Sequence, residues 1–198
     1  MNEFVNVNSW FEQKYKANSS ERYFTFKVAL NLLIQSESGG PIIVETGTTR
    51  FHNDWGAGMS TLLFADYVSH QKFGTVYTVD ILPEAMEQCK IVTAEFKDSI
   101  SYIVEDSISF LKRYTGSEID LLYLDSLDYP LGGDPTECQE FQLKEFKTIE
   151  DKLSPKCVVL LDDNNLPGGG KTKLTKEYLI EKGWTCVLDY QQSVFIRR

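Results

Sequence analysis

The segment Ile119-Asp120-Leu121-Leu122-Tyr123-Leu124-Asp125 sets the frame for the whole chain: it is short, apolar but for Asp120, and ends in a carboxylate. A run of that kind, without alternation, reads as a strand covered on both faces, the habit of parallel sheets. Four further runs share the form: Ile42–Glu45 (IIVE), Thr75–Asp80 (TVYTVD), Ser101–Val104 (SYIV) and Cys157–Asp162 (CVVLLD). Stretches of helical period lie between them. Ser20–Gln35 is capped by Ser19 and Ser20 and broken by Gly39-Gly40-Pro41. Ser60–His70 carries Leu63, Tyr67 and Val68 on one side. Pro83 suits a first helical turn, after which Met86, Cys89, Val92 and Phe96 recur every three or four residues. Thr136–Leu153 repeats Cys138, Phe141, Phe146, Ile149 and Leu153, with Glu140 and Lys144 paired on its wet face. Lys173–Lys182 repeats Leu174, Tyr178 and Leu179.

The end of the chain differs. Trp184–Tyr190 (WTCVLDY) and Ser193–Arg198 (SVFIRR) are separated only by Gln191-Gln192, too short for a crossover, so they pair antiparallel. The pattern predicts an α/β fold, a doubly wound, mostly parallel seven-stranded sheet with a C-terminal antiparallel hairpin. One domain is expected over 1–198, with a helical extension over 1–40 and the cofactor-binding core over 41–198.

Twenty basic against 29 acidic residues leave a net charge of −9. That balance argues against nucleic acid or an anionic membrane as partner. A small-molecule acceptor is expected instead, and a homodimer is left open. No run approaches the ~18 apolar residues of a spanning helix. The start, MNEFVNVNSW, has neither a basic nor an apolar leader region, so a cytoplasmic location is expected. Cys89, Cys138, Cys157 and Cys186 lie far apart with no C-x-x-C pair, which favours buried free thiols over a zinc or redox site.

In an open parallel sheet, ligands bind outside the carboxyl ends of the strands, near the point where strand order reverses. Those ends are polar throughout. IIVE leads into Thr46-Gly47-Thr48-Thr49-Arg50 and then Gly56-Ala57-Gly58-Met59-Ser60, which opens a helix. TVYTV ends in Asp80, followed by Ile81; SYIV is followed by Glu105-Asp106-Ser107. IDLLYL is followed by Asp125-Ser126-Leu127-Asp128, and CVVLL by Asp162-Asp163-Asn164-Asn165. A lone Asp or Ser there is most simply a helix cap. Five ends in register point to a nucleoside cofactor. The dehydrogenase pattern G-x-G-x-x-G is missing, since Gly47 stands alone. Gly170-Lys171-Thr172 supplies the end of a phosphate-binding loop, but Asn165 occupies its required first glycine.

The ordered set VETG, VDI, VEDS, LLYLDS and VVLLDDNN, closed by the hairpin, resembles the class I S-adenosylmethionine-dependent methyltransferases, of Rossmann-like fold, over about residues 42–198. The resemblance implies that Glu45, Gly47, Gly58 and Ser60 surround the cofactor's methionine part. It implies that Asp80 and Ile81 hold the ribose, and that Asp106 and Ser107 lie beside the adenine. Two segments are similar to the metal-dependent, catechol-type O-methyltransferases. Asp125, Asp163 and Asn164 match that group's ligands for Mg²⁺ or another divalent cation, with Asp125 also next to the cofactor. The implied function is methyl transfer to an oxygen of a small hydroxylated acceptor. A non-catalytic cofactor-binding protein is the rival reading, and an ATP-dependent protein a third.

Two departures qualify the match. Ten residues separate Gly47 from Gly58, and the extra Thr49–Trp55 stretch reads equally as a lid or as an exposed loop. The lysine that the catechol-type group carries three residues beyond its first metal Asp is here Asp128. That leaves Asp128, and more weakly His52, as candidates for the general base.

Overall fold

Residues 7–18, 20–34, 40–51, 53–55, 59–71 and 74–197 are described by the computed structural model. His52 and Gly58, both expected at the site, lie outside them. Five strands run parallel: β1 (Ile42–Thr46), β2 (Thr75–Asp80), β3 (Ile100–Val104), β4 (Ile119–Leu124) and β5 (Leu153–Leu161). β6 (Thr185–Asp189) and β7 (Ser193–Ile196) form the antiparallel hairpin, and β7 inserts between β5 and β6. The order is β3-β2-β1-β4-β5-β7-β6. It reverses between β1 and β4, where a doubly wound sheet opens its crevice.

The helices are α1 (Val7–Lys14), α2 (Tyr23–Ile34), α3 (Ser60–His70), α4 (Pro83–Val92), α5 (Ser107–Arg113), α6 (Thr136–Ile149) and α7 (Lys173–Glu181). Alternate residues of the central strands feed opposite cores. Leu121, Tyr123, Val158 and Leu160 join Phe11 from α1, Tyr15 just after it, Phe26 and Leu30 from α2 and Leu63 from α3. Leu122, Leu124, Val159 and Leu161 join Phe110, Phe146 and Leu179 from α5, α6 and α7. The continuous apolar runs follow from this double cover.

Three details differ from expectation. Leu153 opens β5 rather than closing the preceding helix, and a register shift between Ile119 and Leu121 absorbs the exposed Pro155 and Lys156. Before α2, Ser20–Arg22 forms a 3₁₀ turn. α1 falls within the expected helical extension, although no helix is marked there by the sequence pattern. Cys89, Cys138 and Cys157 are buried free thiols, as expected, and Cys186 is half-buried. Among the described residues no helix is long and apolar enough to cross a membrane.

Candidate active site

At the end of β1 the Gly47 N–H donates to the Val79 carbonyl at 2.8 Å. Gly47 has φ 87°, and a Cβ there would lie 2.5 Å from the Asp125 carbonyl oxygen, so only glycine lets the β1 and β4 ends meet. Glu45 is fully buried and accepts hydrogen bonds from the Ser60 hydroxyl at 2.8 Å and from Thr61, tying the strand to the start of α3. Burial pushes its carboxyl up to about 7, against those hydrogen bonds. Asp80 closes β2 and accepts the Leu82 N–H at 2.8 Å. Asp106 caps α5 by accepting the Ser109 N–H at 2.9 Å. Between these ends lies a cavity of about 300 Å³. Val79, Ile81, Leu82, Leu127 and Phe141 form its apolar walls, with Asp80, Asp106 and Ser107 as polar points. Apolar walls suit a flat base and a carboxylate suits a diol, so this set fits a nucleoside cofactor.

A second cavity, of about 490 Å³, adjoins the first, and Gly47, Arg50 and Asp128 line both. Its wall also includes Arg22, Ser60, Asp125, Tyr129, Asp163 and Lys171. Here the charges come from distant parts of the chain. Asp162, fully buried, accepts from the Arg22 guanidinium at 3.0 Å, from the Tyr123 hydroxyl, and from the Gln192 amide at 3.2 Å. The Lys171 ammonium contacts Asp125 at 2.9 Å and Asp163 at 3.0 Å. Burial alone would lower the lysine's pKa, but Asp125, Asp163 and Asp162 outweigh it and hold the ammonium charged. Burial opposes ionisation of Asp162 as well, yet Arg22 and then Lys171 leave its pKa lowered. Three carboxylates face two cations, so one acid carries the excess: burial and then Asp162 push Asp125 up to about 7. At the mouth, Arg50 donates to both Asp128 oxygens, at 2.9 and 2.8 Å, which lowers the pKa of Asp128.

Glu45, Gly47, Ser60, Asp80, Ile81, Asp106, Ser107, Asp125, Asp128 and Asp163 thus surround one pair of cavities or their floor. Asn164 does not join them. Its amide nitrogen donates to Asp189 and to the Tyr190 carbonyl, and its oxygen accepts from Thr172 and Lys176. The expectation of Asn164 as a metal ligand is therefore corrected: the side chain latches the β5 end to the hairpin turn. The divalent cation expected between Asp125 and Asp163 does not fit these residues either, because Lys171 spans both carboxylates. Among the described residues no group of three carboxylate, imidazole or thiolate side chains is placed to share an ion. Lys171 is also turned away from any phosphate-loop role.

Trp55 packs inward against Tyr15, with ring centroids 5.6 Å apart, while Phe51 stays exposed and lines a separate surface cavity with Leu82 and Glu84. Three further residues belong to this arrangement. In the sequence Lys171 reads as the end of an incomplete phosphate-binding loop and Arg22 as part of an ordinary helix, because the partners of both lie far along the chain. Glu145, fully buried on α6, accepts from Ser126 at 2.7 Å beneath the site, and burial pushes it up to about 7. Its position on the buried stripe with Phe146 and Ile149 was the available signal.

A sequence family described as a methyltransferase domain matches residues 54–164, more than half of the chain. The protein belongs to this methyltransferase family. No protein of curated function matches it in sequence. Solved structures similar to this methyltransferase include an rRNA methylase from Streptococcus thermophilus, at 14% identity and TM-score 0.57, covering 87% of this chain and 95% of that one. A Streptococcus mutans protein, named provisionally as a methyltransferase and solved in complex with SAH, has 11% identity and TM-score 0.59 over 86% and 97% of the two chains. A Staphylococcus aureus protein, named provisionally as a caffeoyl-CoA O-methyltransferase, has 13% identity and TM-score 0.63 over 97% of each. Identities this low establish likeness of fold.

Family and fold together make this a class I S-adenosylmethionine-dependent methyltransferase. The exclusion of nucleic acid in favour of a small-molecule partner is overturned, since the methyltransferase shares its fold with an rRNA methylase. Net charge averages over the whole surface and does not describe any one cavity.

Proposed function

We propose that the protein methylates an oxygen of a hydroxylated acceptor. The observation that carries this reading is the pair of adjoining cavities sharing Gly47, Arg50 and Asp128. One takes the nucleoside of the cofactor, with Asp80 and Ile81 at the ribose and Asp106 and Ser107 by the adenine, and the methionine part extends past Gly47 toward Glu45, Ser60 and Asp125 at the border of the other cavity. The other takes the acceptor. When bound, S-adenosylmethionine supplies an electrophilic methyl group. The chain's own task is to place the acceptor in line and to help remove its proton.

Asp128, at the junction of the cavities, is the candidate base. Arg22, Arg50 and Lys171 in the wall are each paired with a carboxylate, so their charge is already offset and the choice of an oxygen acceptor rests on the catechol-type resemblance. That resemblance is followed in acceptor chemistry but not in metal. The extension over 1–40 belongs to the same domain in this reading, because Arg22 lines the acceptor cavity.

Calorimetry with S-adenosylhomocysteine tests the cofactor half, and methyl-labelled cofactor offered with phenols, sugars, polyols and structured RNA tests the acceptor half. The expected result is saturable cofactor binding and an O-methyl product. Binding without turnover on any acceptor would favour the non-catalytic rival; an N-methyl product would sink the oxygen assignment.

A further inference from the structure

Lys171 sits where its surroundings are built for it. Its ammonium has three N–H donors, and three acceptors meet them: Asp125 Oδ1 at 2.9 Å, Asp163 Oδ2 at 3.0 Å and the Ser126 carbonyl at 3.1 Å. The side chain is 2% exposed. The backbone that delivers it is equally committed. Gly168, Gly169 and Gly170 all have positive φ, and a Cβ at Gly170 would lie 1.9 Å from the Asp163 carbonyl oxygen. The Lys171 N–H then donates to that same carbonyl at 3.0 Å. Gln139 on α6 clamps the loop by donating to the Gly168 and Gly170 carbonyls at 3.2 and 2.8 Å.

We propose that Lys171 is the resident cation of this centre, standing between Asp125 and Asp163 in place of a divalent ion, so that methyl transfer here is metal-independent. The inference rests on the methyltransferase reading of the site and deepens it. An ion entering between the two carboxylates must displace a buried ammonium from all three of its acceptors. It gains no compensation from Asn164, whose amide is already bound on both sides. Arg22 supplies the second positive charge from the opposite side, 3.0 Å from Asp162 and 3.8 Å from Asp163. Two monovalent side chains therefore do what one dication would do: they keep neighbouring carboxylates together and hold them in fixed orientation. Lys171 is a positioning residue in this account, acting through Asp125 and Asp163.

The test is Mn²⁺ titration followed by its paramagnetic resonance signal, alongside thermal melts in EDTA and in Mg²⁺. Wild-type protein is expected to show no saturable Mn²⁺ site and coincident melts. Lys171→Ala removes the charge between the carboxylates, so its Mn²⁺ affinity should rise about tenfold or more, and Mn²⁺ should raise its melting temperature. Lys171→Met, which keeps the apolar stem, repeats the test if the alanine variant does not fold. A saturable wild-type site that stabilises the fold overturns the proposal, and so does a folded Lys171 variant that binds Mn²⁺ no better than wild type. If neither variant folds, the wild-type titration decides alone. None of these readouts needs turnover, and failure of the methyltransferase reading shows separately, as absent S-adenosylhomocysteine binding.

Discussion

At the ends of β2 and β3 each acidic group is satisfied close to home, Asp80 two residues away at Leu82 and Asp106 three residues away at Ser109. At the ends of β4 and β5 the partners are remote: Arg22 lies 140 residues from Asp162, and Lys171 lies 46 from Asp125. The two halves of one sheet edge thus hold their charges differently. The half proposed for the cofactor is held by local turns, each closed within three residues. The half proposed for the acceptor is one charge network, so removing either of its cations leaves neighbouring carboxylates without their main partner. That difference teaches where the molecule is brittle, and it orders the expected effects.

The largest effect belongs to the network. Lys171→Ala leaves Asp125 and Asp163 facing each other, and breaking a buried ion pair from one side costs about 3–5 kcal/mol. Urea denaturation should show that loss, whereas Asp106→Ala, which removes only a helix cap, should cost about 1 kcal/mol. Equal losses in the two variants would erase the contrast between the halves.

Next comes cofactor affinity. One Asp80 oxygen already accepts the Leu82 N–H, and the carboxylate keeps capacity for two ribose hydroxyls. Asp80→Ala should weaken S-adenosylhomocysteine binding by about 2–4 kcal/mol in calorimetry, at ~1.5–3 kcal/mol for each charge-assisted bond less compensation. Arg22→Ala, on the other half, should destabilise the fold far more than it weakens cofactor binding. Unchanged affinity in a folded Asp80 variant would remove that residue from the site.

The same split explains how much the sequence disclosed. Continuous apolar runs ended by carboxylates located every strand end, because double cover of a parallel strand leaves a local mark. Asp80 and Asp106 were legible for that reason. Leu153 was misread because its spacing from Ile149 also fits a helical stripe, and only the register shift opposite Ile119 reveals it as strand. α1 escaped because Trp10 and Phe11 sit among polar neighbours, and packing on Tyr15, Tyr23 and Tyr67 rather than pattern makes it a helix. Around the larger cavity Asp163 is legible as a strand-end carboxylate and Asn164 is bound to the hairpin turn, while the pairings of Arg22 with Asp162 and of Lys171 with Asp125 are not legible. An ion pair between residues 46 or 140 positions apart has no periodicity to read.

A smaller effect concerns pH and the buried Glu45. Its folded pKa, about 7, lies above its ordinary value of 4.5. The folded state therefore holds that proton more tightly than the unfolded state does. Stability from this source is complete below the ordinary value and is withdrawn as pH rises toward 7. The loss should be of order 1–3 kcal/mol. Glu45→Gln cannot ionise, so its stability should fall less than that of wild type between pH 5 and pH 8. Parallel pH profiles would mean that Glu45 stays ionised in the fold.

The smallest effect on stability falls at Arg50, where the halves meet. Its pair with Asp128 lies at the exposed mouth, and exposed ion pairs contribute about 0–1 kcal/mol. Arg50→Ala should therefore leave the melting temperature nearly unchanged. Its kinetic consequence is more informative. Arg50 lowers the pKa of Asp128, so a base at Asp128 works here with reduced basicity but stays ionised further into the acid range. Removing the guanidinium lets that pKa rise. If Asp128 takes the acceptor's proton, the acid limb of the kcat/KM profile should move to higher pH in Arg50→Ala, and Asp128→Asn should lose most turnover while binding S-adenosylhomocysteine normally. An acid limb that stays put in Arg50→Ala, with turnover surviving in Asp128→Asn, assigns the pair to shaping the mouth and sends the search for the base elsewhere in the acceptor cavity.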